Sequence, residues 1–348
     1  MASREASFAP GVVLDGRYRL EEALGEGGMG AVWVARQIAL EREVAIKVLH
    51  TGERSEAQRV RLRREALALA AVHHPAVVQV HDFGETADGT PYVVMELVRG
   101  ESLADRLVRG GTMGAEEAAR LLVPLLDGLA AVHAAGIVHH DIKPENILLA
   151  AGPNGMVPKL LDFGIASDRR ERDGHATGEG PIMGTPAYMA PEQARGLPTD
   201  SRTDVWAVGV VLYELVAGTS PFFDEDVGQM FRNLLEAPPP YPRRARGLDG
   251  PLWRILMDAL RKDVRSRTST AAALRNELER WLEDRPGSAR PGSASIAPED
   301  VAARFAPTLR APVASSKGAG VHAEPAPKPR DDEAPVSIDA LVRAKLGG

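Results

Sequence analysis

A change of hydrophobic period near residue 100 limits what this chain can fold into more than any other feature. From Tyr18 to about residue 100, YRLEEALG, AVWVARQ, EVAIKVLH, AVVQVHDFGE and PYVVMELV alternate or cluster β-branched residues between Gly-rich or polar breaks, as strands do. One helical stretch interrupts them: in RVRLRREALALAAVHHP, residues Leu62, Glu65, Leu69 and Val72 recur at helical spacing until Pro75 stops it. Beyond residue 100 the pattern is mostly helical, with AEEAARLLVPLLDGLAAVHAAG ending at Gly136, VWAVGVVLYELVAG at 205–218, WRILMDALRKD and TAAALRNELERWLED. The 205–218 run is apolar nearly all round, which suits the central helix of a helical lobe. Glu214 interrupts it and it is too short for about 30 Å of hydrocarbon, so it predicts a buried helix and no membrane insertion. The expected fold class is α+β: a small lobe of five strands and one helix, then a larger, mainly helical lobe.

A chain of 348 residues with 44% hydrophobic content can bury such a core. The formal net charge of -6 is spread without a large basic field, so no nucleic-acid partner is expected. With no cysteine, disulfides, thiolate metal sites and cysteine nucleophiles are excluded, in keeping with a reducing compartment. MASREASFAPG lacks the apolar core of a signal peptide, and a cytoplasmic location is expected. After about residue 285 the chain becomes rich in Pro, Ala, Ser and Gly, a composition that predicts a flexible tail. EDVAARFA and SIDALVRAKL within it have helical apolar spacing and could fold on a tail-docking protein partner, although residual propensity is the plainer reading.

GEGGMG at 25–30 fits GxGxxG, a weak signal alone because Gly-rich turns between strands are common. A dinucleotide-binding fold needs strand, glycines, then helix, whereas this loop runs into the strand AVWVARQ. A hairpin laid over phosphates fits better. In VAIK, strand alternation puts Ala45 and Lys47 on one face and Val44, Ile46 and Val48 on the other. Lys47 then needs a counter-charge, unless its strand is an edge from which it reaches solvent. Glu65, on the stripe of Leu62 and Leu69, can supply that charge, in competition with Arg59, Arg61, Arg63 and Arg64 on its own helix. In VHHDIKPENILL at 138–149, Asp141, Lys143 and Asn146 stand between two histidines and an apolar run.

GEGGMGAV, VAIK, Glu65, VHHDIKPEN, DFG at 162–164 and APE at 190–192, in this order and spacing, resemble the protein kinase family over residues 18 to about 284. GEGGMGAVW and GTPAYMAPEQ are most similar to its bacterial, eukaryotic-like serine/threonine branch. The resemblance implies a two-lobed protein kinase fold: an extension over 1–17, a small antiparallel β-sheet lobe over 18–97, a larger helical lobe over 98–284 and the tail over 285–348. It also implies ATP with Mg²⁺, or Mn²⁺ in its place, and protein substrates bearing Ser or Thr. Leu24, Gly25, Glu26, Gly27, Gly28, Met29 and Gly30 would then cover the phosphates. Val32 and Ala45 would lie above the adenine and Leu148 below it, Met95 would be the gatekeeper, and Glu96 and Val98 would offer backbone hydrogen bonds. Lys47, held by Glu65, would grip the α and β phosphates, while Asp162 and Asn146 would bind the metal. Asp141 would orient or accept the hydroxyl proton, and Lys143 would contact the moving phosphate. Structural roles follow for Glu192 paired with Arg267 and for Asp204 as a brace of the catalytic loop.

Lys143 two positions after Asp141, and Thr185 in GTPAYMAPE, match the serine/threonine branch rather than the tyrosine branch. One residue departs from the family: His140 stands where most members have an arginine that pairs with a phosphorylated activation loop. An imidazole is largely neutral at pH 7 where a guanidinium is charged. Activation is therefore expected to depend less on phosphorylation of Ser167, Thr177 or Thr185, unless His140 binds phosphate when protonated. A pseudokinase would lack one of Lys47, Asp141, Asn146 or Asp162, and all are present. A third reading makes the kinase fold an adaptor that serves the tail.

Overall fold

The alternation in EVAIKVL organises the small lobe. In the computed structural model its strand, β4 (Arg42–Leu49), lies inside a six-stranded antiparallel sheet of order β1-β2-β3-β4-β6-β5. The other strands are β1 (Val13–Leu14), β2 (Tyr18–Gly27), β3 (Gly30–Gln37), β5 (Val80–Glu85) and β6 (Pro91–Met95). Val44, Ile46 and Val48 pack with Tyr18, Leu20, Trp33, Tyr92 and Val94 in a small-lobe core. Lys47 is thus on an internal strand, between Val32 of β3 and Val93 of β6, and the edge-strand reading is removed. The sheet has one strand more than the sequence runs indicate. Val13 pairs with Arg19 and Leu14 with Tyr18, in a segment too short to show a period and assigned by sequence to the extension.

The structure describes residues 8–27, 30–49, 56–152, 155–163 and 186–285. All of them belong to the unit Met1–Ala289, and the unit Arg290–Gly348 contributes none. The tail segments EDVAARFA and SIDALVRAKL therefore lie outside the described residues, as do Gly28, Met29, Gly164, Ser167, Thr177 and Thr185.

Helix α1 (Glu56–Ala70) buries Leu62, Ala66 and Leu69 and ends before Val72, which packs from the following turn instead of extending the helical stripe. A second sheet, antiparallel and of order β7-β8-β9, joins β7 (Gly100–Ser102), β8 (Ile147–Gly152) and β9 (Gly155–Leu160). The larger lobe adds α2 (Leu103–Gly110), α3 (Ala115–Ala134), α4 (Pro191–Ala194), α5 (Ser201–Ala217), α6 (Val227–Leu235), α7 (Gly250–Ala259) and α8 (Ala271–Glu283). Its centre is α5, buried without a break from Thr203 to Tyr213, as an all-round apolar sequence requires. The Asp200 side chain caps its start by accepting from the Arg202 N–H, and Gly218, at φ 86°, closes its end in the left-handed conformation.

One core cluster runs from α1 and β6 into the helical lobe, including Leu69, Val93, Leu126, Ile147 and Trp206. The lobes are also joined through backbone. The Leu160 N–H donates to the Ala76 carbonyl at 2.9 Å, and the Val78 N–H to the Leu160 carbonyl at 3.0 Å. The end of β9, two residues before Asp162, is thus fixed to the segment that leads into β5.

Candidate active site

The segment VHHDIKPEN is built on a buried carboxylate. Asp204, near the start of α5, accepts the backbone N–H groups of His139 and His140, each at 2.8 Å. His133 Nε2 of α3 donates to it at 2.8 Å. Burial alone would raise the Asp204 pKa, but the His133 hydrogen bond and the surrounding histidines outweigh that and hold it below the ordinary carboxylate value. The brace matters because His140 sits at φ 66°, a backbone region costly for a bulky side chain. Gln193 Nε2 adds a bond to the His140 carbonyl at 3.1 Å, while His140 Nε2 lies 3.0 Å from Thr199 Oγ1.

His139 is fully buried and both its ring nitrogens are used. The Asp141 N–H donates to Nδ1 at 3.2 Å, so the proton is on Nε2, which donates to the Leu161 carbonyl at 2.7 Å. The ring lies 4.6 Å from that of Phe163, centroid to centroid. A neutral imidazole thus ties the backbone of Asp141 to the strand that delivers Asp162. Burial pushes its pKa below the ordinary 6.5. Below pH 6.5 the unfolded chain takes up a proton that the folded chain refuses, so this group costs stability as pH falls from 6.5 toward the folded value. Asp204, held below 3.8, adds a second loss below that pH. In thermal denaturation, the fall in Tm from pH 7 to pH 5 should be smaller in His139→Phe than in the wild type.

Asp141 and its neighbours converge. Lys143 Nζ is 2.9 and 3.1 Å from the two Asp141 carboxylate oxygens. Asn146, largely buried at the end of a 3₁₀ turn over Pro144–Asn146, donates Nδ2 to the Asp141 carbonyl at 2.8 Å and to its carboxylate at 2.9 Å. That commits the amide N–H groups and leaves the Asn146 amide oxygen for another partner. The Asn146 carbonyl accepts the Leu161 N–H at 2.8 Å, which sets Asn146 beside the residue preceding Asp162. A neutral amide oxygen next to a carboxylate is a donor set that fits Mg²⁺, which takes its remaining ligands from phosphates and water. Among the described residues, no three His, Cys, Asp or Glu side chains form a cage of their own.

The partner of Lys47 is not the one expected. Lys47 Nζ pairs with Asp162 Oδ1 at 2.8 Å, and Glu65 pairs with Arg61 at 3.0 Å, one turn back on α1. Lys47–Glu65 is not an ion pair of this structure. Arg61 holds Glu65 by the short-range helical pairing that sequence allows, and Lys47 takes the carboxylate that β9 brings to it. Asp162 itself has φ 53°, so its side chain is delivered by a left-handed backbone. Lys47 and Asp162 line a cavity otherwise bounded by apolar side chains, among them Leu69, Val80, Val93, Met95 and Phe163.

The remaining candidates lie around the same cleft. Gly25, Glu26 and Gly27 end β2 and Gly30 opens β3, where Gly27 pairs with Gly30. A Cβ on Gly30 would come within 2.0 Å of the Val48 carbonyl oxygen, so no other residue fits that close approach of β3 to β4. Leu24 is exposed, and Val32 pairs directly with Lys47. Ala45 pairs with Met95. Glu96 and Val98 follow β6, and Leu148 is on the face of β8 opposite the buried Ile147 and Leu149. Sequence reading missed His133, Gln193 and Thr199, whose contacts span 53 to 71 residues and leave no local pattern.

With this geometry in place, residues 18–278 match the family described as protein kinase domain, and the chain belongs to that family. It is 39% identical over 296 residues to serine/threonine-protein kinase pkn3 of Myxococcus xanthus, covering 81% of this chain and 54% of that protein. It is 38% identical over 322 residues to serine/threonine-protein kinase PknB of Mycolicibacterium smegmatis, covering 91% and 50%. The chain thus spans about half the length of these relatives. The crystal structure of a double mutant of the Mycobacterium tuberculosis PknI kinase domain shares the two-lobed fold with a TM-score of 0.62 at 24% identity, over 79% of this chain and 98% of that one. Among the described residues no helix is long and apolar enough to cross a membrane.

Proposed function

We propose that the protein is a serine/threonine protein kinase, transferring the γ-phosphoryl group of ATP to hydroxyls of protein substrates and of itself. The observation that carries this reading is the convergence on Asp141 of Lys143 and Asn146, with Lys47 on Asp162 across the cleft. Asp141 orients the incoming hydroxyl and receives its proton. Lys143, already on that carboxylate, balances charge on the phosphoryl oxygens as they move. Asp162 and Asn146 would hold Mg²⁺, which neutralises phosphate charge when bound. Lys47 would then leave Asp162 for the α and β phosphates, and Glu65 would leave Arg61 for Lys47. The adenine would lie between Val32 and Ala45 above and Leu148 below, against the backbone of Glu96 and Val98. Dependence on ATP and the lack of cysteine suit a cytoplasmic site of action.

The choice of Ser and Thr rests on Lys143, on Thr185 and on the names of the relatives. Incubation of the purified chain with labelled ATP and Mg²⁺, followed by mapping, should place the label on Ser or Thr. Label on Tyr, or none, would overturn the reading.

His140 bears on regulation. Its ring reaches Thr199, and its backbone is held by Asp204 and Gln193, so the catalytic loop is fixed by contacts that need no phosphate. Ser167→Ala and Thr177→Ala, each alone, should keep at least about a third of wild-type initial rate, a loss of under ~1 kcal/mol in transition-state stabilisation. A collapse in either variant would reverse this view of activation.

A further inference from the structure

We propose that Glu96 and Lys159 form a positioning pair that couples the base-binding segment to the metal-binding aspartate. The inference rests on the kinase reading above, in which residue 96 meets the adenine through its backbone and Asp162 meets the metal. The Glu96 side chain is not needed for that backbone contact, yet it is not left to solvent. Its Oε1 accepts from Lys159 Nζ at 2.5 Å and from the Gln79 N–H at 2.8 Å, with the two ionic side chains only 29% and 18% exposed. The Glu96 N–H returns a bond to the Gln79 carbonyl at 2.9 Å. One carboxylate oxygen therefore joins the end of β6, the entry to β5 and the residue of β9 just before Leu160.

Each of these leads to a working group. Lys159 stands three residues before Asp162, about 10 Å along the strand direction, and the intervening backbone is held at both ends. Leu160 is bonded to Ala76 and Val78, and Leu161 to Asn146 and His139. The bonded run that starts beside Lys159 reaches Asn146 through the Leu161 N–H and ends on Asp162, the two residues suited to the metal. In the other direction Gln79 Nε2 bonds the Ala70 carbonyl at 3.1 Å, at the last residue of α1, the helix that carries Glu65. The pair sits where base recognition, metal binding and the position of α1 meet. It acts through its neighbours and touches no reacting atom, as outer-shell partners of metal ligands do.

The experiment measures binding of adenosine and of ATP, the latter with and without Mg²⁺, by calorimetry on the full chain. Lys159→Met is expected to reduce the gain in ATP affinity conferred by Mg²⁺ by about tenfold, the lower end of the range for outer-shell partners. Adenosine affinity should stay within about twofold. Lys159→Arg should restore the gain. Glu96→Gln, which keeps an oxygen for the Gln79 N–H, should show the same loss as Lys159→Met, and the double variant should lose no more than either single one. Should Lys159→Met fold poorly, Glu96→Gln reads the pair from its other side. Equal weakening of adenosine and of Mg²⁺-ATP would show a merely local support of the base segment and overturn the proposal, as would additive losses or an undiminished Mg²⁺ gain. If the wild type gains nothing from Mg²⁺, the underlying kinase reading falls with it. A wild-type gain kept intact in both single variants sinks the coupling alone.

Discussion

Asp141→Asn lowers the rate of phosphoryl transfer to protein by roughly 10²–10⁴-fold, the range for a positioned acid–base group. The argument is local. An amide oxygen can still accept from Asn146 Nδ2, and the backbone of residue 141 remains fixed by His139 Nδ1 and the Asn146 side chain, so the loop keeps its shape. What disappears is the negative charge that balances Lys143 at 2.9 Å and the basic oxygen that takes up the hydroxyl proton. ATP affinity and Tm should change little, because residue 141 is on the acceptor side of the cleft and its side chain is partly exposed. Initial rates with labelled ATP, together with ATP titrations of both forms, check this. A variant that transfers phosphate at the wild-type rate would remove Asp141 from the mechanism.

The largest stability effect is expected far from the cleft. Arg267 and Glu192 form a bidentate pair at 2.7 and 2.8 Å with side chains 0% and 6% exposed. Every guanidinium nitrogen is engaged: Arg267 Nε donates to the Arg261 carbonyl and Nη1 donates also to the Arg202 carbonyl, while Thr203 Oγ1 donates to Glu192. Burial alone would raise the Glu192 pKa, but Arg267 outweighs it and keeps the carboxyl below its ordinary value. Arg267→Ala leaves that carboxylate buried and unpaired and should cost about 3–5 kcal/mol. For a domain of this size the fall in Tm is on the order of 10 °C. The comparison is Arg120→Ala, which removes an exposed, solvent-screened pair with Glu116 and should lower Tm far less. Similar Tm values for the two variants would show that the buried pair carries no special weight.

Much of this arrangement is legible in the sequence, for reasons that can be named. Helix α5 is written in an apolar run that only Glu214 interrupts, and such a run has only an interior to occupy. The apolar residues on both sides of Lys47 suit an internal strand, but they leave an edge strand open, and only the pairing with β3 and β6 closes that alternative. Asp204 and the Glu192–Arg267 pair follow from the family resemblance, not from any local period. What local pattern leaves open is which of two available charges a residue selects. Glu65 had Arg61 one turn away and Lys47 across the lobe, and spacing does not rank them; the fold brings Asp162 to Lys47 and leaves Glu65 with Arg61. The two residues of β1 carry too little sequence to declare a strand. Lys159 alternates within β9 like any exposed strand lysine, and only the turn of β6 toward Gln79 gives it Glu96 as a neighbour.

The carboxylate of Asp204 holds two successive amides of the loop and keeps His140 in its left-handed backbone. That side chain belongs to the central, most deeply buried helix among the described residues, so the outline of the loop is a property of folding. A descendant that had exchanged Asp141 for an inert residue would still show the same contour here, propped from beneath by α5. Within this lineage a familiar loop silhouette would certify a sound scaffold, whereas the capacity to turn over nucleotide would have to be read from the atoms that the scaffold presents.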